Sequence, residues 1–173
     1  MQLLRILRLD DSDQQVYRPA AAAGELALPG AFMFTFAERD PGGLDGAELH
    51  AFRRGFLGID SFGWGTLVTV GEVTADERTH VLERLSTLFE QRFGAPDAAA
   101  ARDQAEQELA FAERLCQQPL NTILSLERSL DAEGSVREQF RVHRQEARWE
   151  NEHPIFSIIR DEGELTPPGE PRS

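Results

Sequence analysis

The chain has 173 residues, enough for one domain and a tail, and 40% of them are hydrophobic, which indicates a folded globule. Its net charge of −12 disfavours binding to nucleic acid or to an anionic membrane surface, because both depend on positive charge. All 18 basic residues are arginine, and the absence of lysine excludes Schiff-base chemistry and a P-loop lysine.

Four strands are predicted in the first part of the chain, at 2–9, 15–18, 25–28 and 31–37. A polar turn at Asp10–Asp13 follows the first of them. Proline and glycine bracket Pro19–Gly24 and favour a loop there over a helix. Phe32, Phe34 and Phe36 recur at every second position, which is typical of the buried face of an antiparallel strand.

Three helices are predicted in the middle of the chain, at about 45–54, 74–93 and 97–117. Asp45 with Glu48, and Thr74 with Glu77, have the spacing of a capping box. Apolar residues recur every three or four positions in the second and third helices, as expected where one side packs on a core. A strand at 62–73 is predicted between the first two helices.

Residues 120–130 and 135–143 are predicted to form a β-hairpin around a four-residue loop that ends in glycine. The order of elements indicates an α+β fold, with a mainly antiparallel sheet and about three helices packed on one face. We therefore expect one domain over 1–143. Residues 144–173 are charged and proline-rich, and we expect a tail that is flexible or partly docked, with 155–159 as its apolar run.

No pattern for catalysis or metal binding withstands inspection. Cys116 is the only cysteine, so a disulfide and a cysteine-based zinc site are excluded, and its place near a helix C-terminus predicts an unreactive thiol. Ser61 lacks the preceding glycine and the following helix of a nucleophile elbow. Glu106 and Glu113 are predicted to lie on a solvated helix face. The four histidines lack metal-ligand spacing, so we expect no metal and no cofactor.

The most informative segment is Phe56–Val70, whose first ten residues contain three aromatics, three glycines and one acid. One interpretation is a corner of the core where a helix passes into a strand, with Asp60 capping a turn. The other is an aromatic patch or pocket with one acid, beside an arginine that could meet an anion. On this second interpretation the ligand- or partner-binding residues are Arg53, Phe56, Asp60, Phe62 and Trp64.

Four stretches resemble an uncharacterised family of small proteins found mainly in proteobacteria. They are Met-Gln-Leu-Leu-Arg at 1–5, Leu-Pro-Gly-Ala-Phe-Met-Phe at 28–34, the run Phe-Arg-Arg-Gly-Phe-Leu-Gly-Ile-Asp-Ser-Phe-Gly-Trp at 52–64, and Phe-Gly-Ala-Pro-Asp at 93–97. The likeness extends over 1 to about 143, and Gly-Ile-Asp-Ser-Phe-Gly-Trp is its most specific part. The resemblance implies an accessory role beside molybdenum-dependent, formate dehydrogenase-like enzymes, and it implies no catalytic residues.

These observations favour a non-catalytic accessory or interaction protein that binds a partner through the aromatic segment or the tail. The alternative is a small-ligand-binding domain, or an enzyme of unknown reaction, with a pocket around Phe62, Trp64 and Arg53. Arg5 and Arg8 interrupt the apolar start of the chain, which is too short for a signal sequence, and no stretch is long enough to span a membrane. We therefore expect a cytoplasmic protein.

Overall fold

A computed structural model describes residues 1–35, 40–143, 157–161 and 164–165. Within these residues a nine-stranded antiparallel sheet has the order β4-β3-β2-β1-β5-β6-β7-β8-β9. The strands are β1 (Gln2–Leu7), β2 (Leu26–Leu28), β3 (Phe56–Gly58), β4 (Trp64–Gly65), β5 (Leu67–Glu72), β6 (Ile123–Leu130), β7 (Val136–His143), β8 (Ser157–Asp161) and β9 (Glu164–Leu165).

Five α-helices accompany the sheet in the described part of the chain. They are α1 (Ser12–Val16), α2 (Phe32–Thr35), α3 (Gly46–Arg54), α4 (Ala75–Arg92) and α5 (Ala98–Leu115), and a short 3₁₀ helix covers Pro41–Gly43. Helices α4 and α5 pack against each other. None of the helices in the described residues is long and apolar enough to cross a membrane.

The register of the central strands divides their apolar side chains between two faces. Leu4 lies opposite Ala27 of β2 and Val70 of β5, whereas Leu3 lies opposite Gly71. Successive side chains of a strand point to opposite faces, so Leu3 and Leu4 belong to different cores. The core that contains Leu3 includes the apolar stripes of α4 and α5, and the core that contains Leu4 includes the inner face of β5, β6 and β7.

The predicted α+β fold with a mainly antiparallel sheet is confirmed, and the three predicted helices correspond to α3, α4 and α5. The capping box at Thr74 and Glu77 is formed, with both reciprocal hydrogen bonds present. The one predicted at Asp45 is wrong, because that side chain makes no capping hydrogen bond. Leu3 and Leu4, on opposite faces of β1, are both buried, and α5 contributes Phe111 to the second core.

Two segments predicted as strands, at 15–18 and 31–37, contain helix instead. Residues 12–16 form α1, which brings the buried Asp13 within 3.1 Å of the Thr66 hydroxyl. Residues 32–35 form α2, so Phe32 and Phe34 point to different sides of a helix rather than to one face of a strand. Phe32 packs on Phe89, and Phe34 packs on Phe52. Tertiary packing of these side chains overrides the local alternation. Phe36 lies outside the described residues.

The predicted strand at 62–73 is interrupted. Strands β3 and β4 form a tight hairpin around Ile59–Gly63, and Thr66 separates β4 from β5. At the other end of the sheet, residues 157–161 pair with β7 as strand β8, with Ile158 opposite Phe140. The boundary between a domain at 1–143 and a tail at 144–173 stays a prediction.

Candidate functional site

The loop of the β3–β4 hairpin is held by one carboxylate. Glu25 accepts hydrogen bonds from the backbone N–H groups of Asp60 and Ser61, at 3.2 and 3.1 Å, and from the Ser61 hydroxyl. Gly58 makes room for this carboxylate, because a Cβ there would overlap it. Ser61 therefore belongs to the internal hydrogen bonding of the loop, which agrees with a turn serine rather than a nucleophile.

Trp64 lies in the core beside the backbones of two glycines. Its side chain is only 7% exposed. A Cβ at Gly55 would lie 2.7 Å from the indole, so this position requires glycine. A Cβ at Gly30 would lie 3.2 Å from the indole and 2.7 Å from the Leu57 Cβ, and Gly30 also has a positive φ of 80°. The ring of Phe34 lies at a centroid distance of 5.2 Å and a tilt of 30°. The indole is thus fixed between two backbone segments and one aromatic ring.

The segment that precedes β2 fixes the backbone of β4. The N–H of Trp64 donates to the carbonyl of Pro19 at 3.1 Å, and its carbonyl accepts from Ala21 at 2.9 Å. Gly63 permits this approach, since a Cβ there would lie 2.5 Å from the carbonyl carbon of Ala20. This pairing ties Pro19 to the backbone of Trp64, so the neighbouring residue Arg18 is held close to Trp64.

A cavity of about 240 Å³ opens beside Trp64. Its apolar walls come from α2, the 3₁₀ helix and its end, α3 and β4, and the lining side chains are Met33, Phe34, Pro41, Leu44, Ala47, Ala51 and Trp64. The small side chains of Ala47 and Ala51, one helical turn apart on α3, leave this space open. The charged lining residues are Arg18, Glu48 and Arg92.

A buried arginine supports the walls of this cavity from behind. Arg128 donates to the carbonyls of Ala51, Phe52 and Gly55 at 2.9–3.2 Å, and also to the carbonyl of Pro29. Three of these four carbonyls end α3, where the helix dipole favours a cation. The guanidinium also lies 5.6 Å from the centroid of Phe34.

The charge of Arg128 is balanced inside the protein by Glu138. Its Nε donates to the Glu138 carboxylate at 2.9 Å, and both side chains are at most 1% exposed. The hairpin register places the two residues directly opposite each other on β6 and β7. Sequence reasoning missed this pair. A signal existed, because both residues occupy positions that continue the apolar alternation of Leu124, Leu126 and Phe140.

The five predicted binding residues do not form one site in the structure. Phe56 is fully buried in the second core, near Phe140. Arg53 is exposed at the end of α3 and does not line the cavity beside Trp64. Asp60 and Phe62 lie on the hairpin loop facing α4. Of the residues Phe62, Trp64 and Arg53 in the predicted pocket, only Trp64 lines the cavity. Their roles in binding stay a prediction.

The outer side of the hairpin loop carries a second group of side chains. His80 Nε2 lies 2.6 Å from Asp60 Oδ1, and both side chains are more than half exposed. Arg84 donates to the carbonyls of Ile59 and Asp60, and its guanidinium lies 4.5 Å from the centroid of the Phe62 ring. We call Asp60, Phe62, His80 and Arg84 the loop cluster.

A polar depression lies behind the end of α3, on the outer side of β6 and β7. Its lining includes Arg54, Thr66, Ser125 and Arg141.

The Thr66 hydroxyl lies 2.8 Å from the Tyr17 hydroxyl and donates to the buried Asp13 carboxylate. Burial is the main cause that raises the pKa of Tyr17. Tyr17 therefore acts as a neutral anchor of α1 in this chain of hydrogen bonds.

In the part of the chain that the structure describes, reactive groups are not gathered at the cavity. Burial raises the pKa of the Cys116 thiol to about 12, and the nearby Glu113 carboxylate acts in the same direction. The thiol is 1% exposed and belongs to the second core, away from Trp64. Among the described residues, no three His, Cys, Asp or Glu side chains are arranged to hold a metal ion. The arrangement around Trp64 can enclose and orient a molecule.

Comparison with known proteins gives a family and no further relatives. Neither a curated protein nor a solved structure matches the chain. A family model does match it, over residues 1–157, and this span includes the hairpin with Trp64, the cavity and the Arg128–Glu138 pair. The chain therefore belongs to the family of unknown function DUF6505.

Proposed function

We propose that this protein is a non-catalytic binding protein and that the cavity beside Trp64 is its ligand site. The single observation that carries the proposal is a preformed space of about 240 Å³ with mostly apolar walls. An apolar cavity of about 150 Å³ is large enough for benzene. The space beside Trp64 therefore accommodates a single ring with a short substituent, or an aliphatic chain of similar volume.

The construction of the walls supports the proposal. Trp64 packs on glycine backbones, and Arg128 ties the end of α3 to Pro29 through buried hydrogen bonds. Rigid walls lower the entropic cost of binding, since little has to be ordered when the ligand enters. Small-molecule sites are typically largely preformed, with apolar and aromatic walls and few polar groups.

Binding without chemistry fits the accessory role that the family resemblance implies. An accessory protein of a redox system requires selective capture of a molecule or partner, and it needs no nucleophile or general base of its own. We propose this role for the chain, with the cavity as the part that recognises its ligand.

The loop cluster gives a second candidate, which is the docking of a protein partner. Asp60 and His80 form an exposed pair whose side chains are in contact, next to the half-buried ring of Phe62. The exposed edge of such a cluster suits the rim of a protein interface. The cluster is a weaker candidate, because Arg84 is already engaged by two backbone carbonyls of the loop.

A screen of small apolar fragments by NMR tests the ligand site. Fragments that bind should shift the resonances of Trp64, Met33 and Ala47. Ala47→Phe fills the cavity and should abolish these shifts, whereas Ala99→Phe, at an exposed position of α5, should leave them unchanged. Shifts confined to Asp60, Phe62 and His80 would favour the second candidate instead.

A further inference from the structure

The charged residues at the cavity indicate which chemical class its ligand belongs to. Among the described residues, two arginines and one acid line a cavity that is otherwise mainly apolar, in a chain whose net charge is −12. Acidic residues outnumber basic ones in the chain as a whole, so a cavity whose described lining has more basic than acidic residues is unusual for this protein. Arginine is also the basic residue that best matches a carboxylate, because its planar donors pair with both oxygens.

Arg18 is available to a ligand. Among the described residues it makes no hydrogen bond or ion pair, although both of its neighbours are fixed. Tyr17 is anchored through its hydroxyl to Thr66, and the carbonyl of Pro19 accepts from Trp64. The backbone of Arg18 is thus held beside the cavity, while the N–H groups of its guanidinium are available to a ligand.

Arg92 reaches the cavity from a different element. It is the last residue of α4, and its guanidinium lies 5.7 Å from the centroid of the Phe93 ring. A guanidinium stacked on a ring keeps its in-plane donors available to an oxygen ligand. Arg18 and Arg92 therefore come to the same cavity from segments that are more than 70 residues apart in the chain.

We infer that the ligand of this cavity is a small carboxylate with an apolar body, whose carboxylate is bound by Arg18 and Arg92 while its body lies against Trp64, Phe34 and Ala47. The inference rests on the proposed function, since it names the ligand class of the same site. The volume limits the body to about one ring with a short linker. Glu48, the single acid among the lining residues that the structure describes, disfavours a second negative charge on the ligand.

Calorimetric titration of the full chain with two probes of matched shape tests the inference. The probes are 3-phenylpropanoate and its neutral amide. We expect the acid to bind about tenfold more tightly than the amide at low salt, and this preference should shrink as salt is added. Arg18→Gln and Arg92→Gln should each weaken binding of the acid about threefold to tenfold and leave binding of the amide nearly unchanged.

Arg102→Gln is the matched control, because Arg102 is an exposed arginine on α5 that does not line the cavity. Its affinity for both probes should equal that of the wild type. Equal binding of acid and amide, or a preference that survives both substitutions, overturns the inference while the ligand site stands. Failure of both probes to bind the wild type overturns the inference and the proposed function together.

Discussion

At the scale of single residues, the glycines around Trp64 have a different role from the one their sequence positions suggest. Gly63 and Gly65 flank Trp64, and each allows a close approach of another segment, since a Cβ at Gly63 would meet the backbone of Ala20 and one at Gly65 would meet the side chain of Ile6. The glycines that contact the indole, Gly30 and Gly55, are distant in the sequence or belong to another element. A glycine indicates a close approach, but the approaching group is determined by tertiary structure.

Trp64→Ala should lower the free energy of unfolding by about 3–5 kcal/mol, because removal of a buried aromatic ring leaves a cavity. Urea denaturation monitored by circular dichroism measures this change. A value below about 1.5 kcal/mol would show that the ring is a surface residue, contrary to its position between two glycine backbones.

Cys116 should be inert in the native protein. Its pKa of about 12 means that almost no thiolate is present at pH 8, and burial blocks access of a reagent. A disulfide reagent such as dithionitrobenzoate should therefore react with less than one tenth of the thiol in native protein, and with all of it in guanidinium chloride. Rapid labelling of native protein would place the thiol at the surface.

At the scale of elements, the helices that carry caps and apolar stripes are predictable and the aromatic segment at 31–37 is not. Local signals determine α4, whose capping box lies within four residues. Helix α2 depends on contacts of Phe32 with Phe89 and of Phe34 with Trp64, which no local window contains. Aromatic residues at every second position indicate a strand only when their side chains pack on the same surface.

Among the contacts between elements, the Arg128–Glu138 pair should be the one whose disruption lowers the free energy of unfolding most. Arg128→Met leaves a buried carboxylate and four carbonyls without their cation, and it should cost about 3–5 kcal/mol in urea denaturation. The double variant Arg128→Met/Glu138→Met should recover part of this loss, because the uncompensated charge is gone.

Arg137→Met is the control for this pair, since Arg137 lies on the same hairpin with a 43% exposed side chain. It should cost less than about 1 kcal/mol, as expected for an exposed ion pair. Equal losses for Arg128→Met and Arg137→Met would mean that Arg128 does not hold α3 in place.

At the scale of the whole molecule, the chain shortened after Arg144 should keep its fold. The core residues that the structure describes lie within 1–143, and the described pairings that are lost are those of β8 with β7 and with β9. We expect the melting temperature to fall by less than about 5 °C, roughly 1–2 kcal/mol. Amide hydrogen exchange should accelerate in β7 alone. Faster exchange throughout β1 and β5 would show that the terminal segment belongs to the domain.

The sequence identifies one segment that contributes to the site, but it does not identify the other segments that complete the cavity. The run 52–64 contains Trp64, but the cavity also needs Arg18, Ala47 and Arg92, which come from three other segments. Arginine and alanine are common on helices and loops, so their convergence is not visible without the fold. The prediction of Phe62 and Arg53 as pocket residues followed nearness in the sequence, whereas the hairpin and α3 direct them elsewhere.

The central claim is that the cavity beside Trp64 is a ligand site, and intermolecular nuclear Overhauser effects test it most directly. The probe is 3-phenylpropanoate added to the full chain. The account predicts effects between the ring protons of the probe and the indole of Trp64, the methyl of Met33 and the methyl of Ala47. Effects confined to Phe62 and its neighbours on the loop, or none at Trp64 under saturating probe, would contradict it.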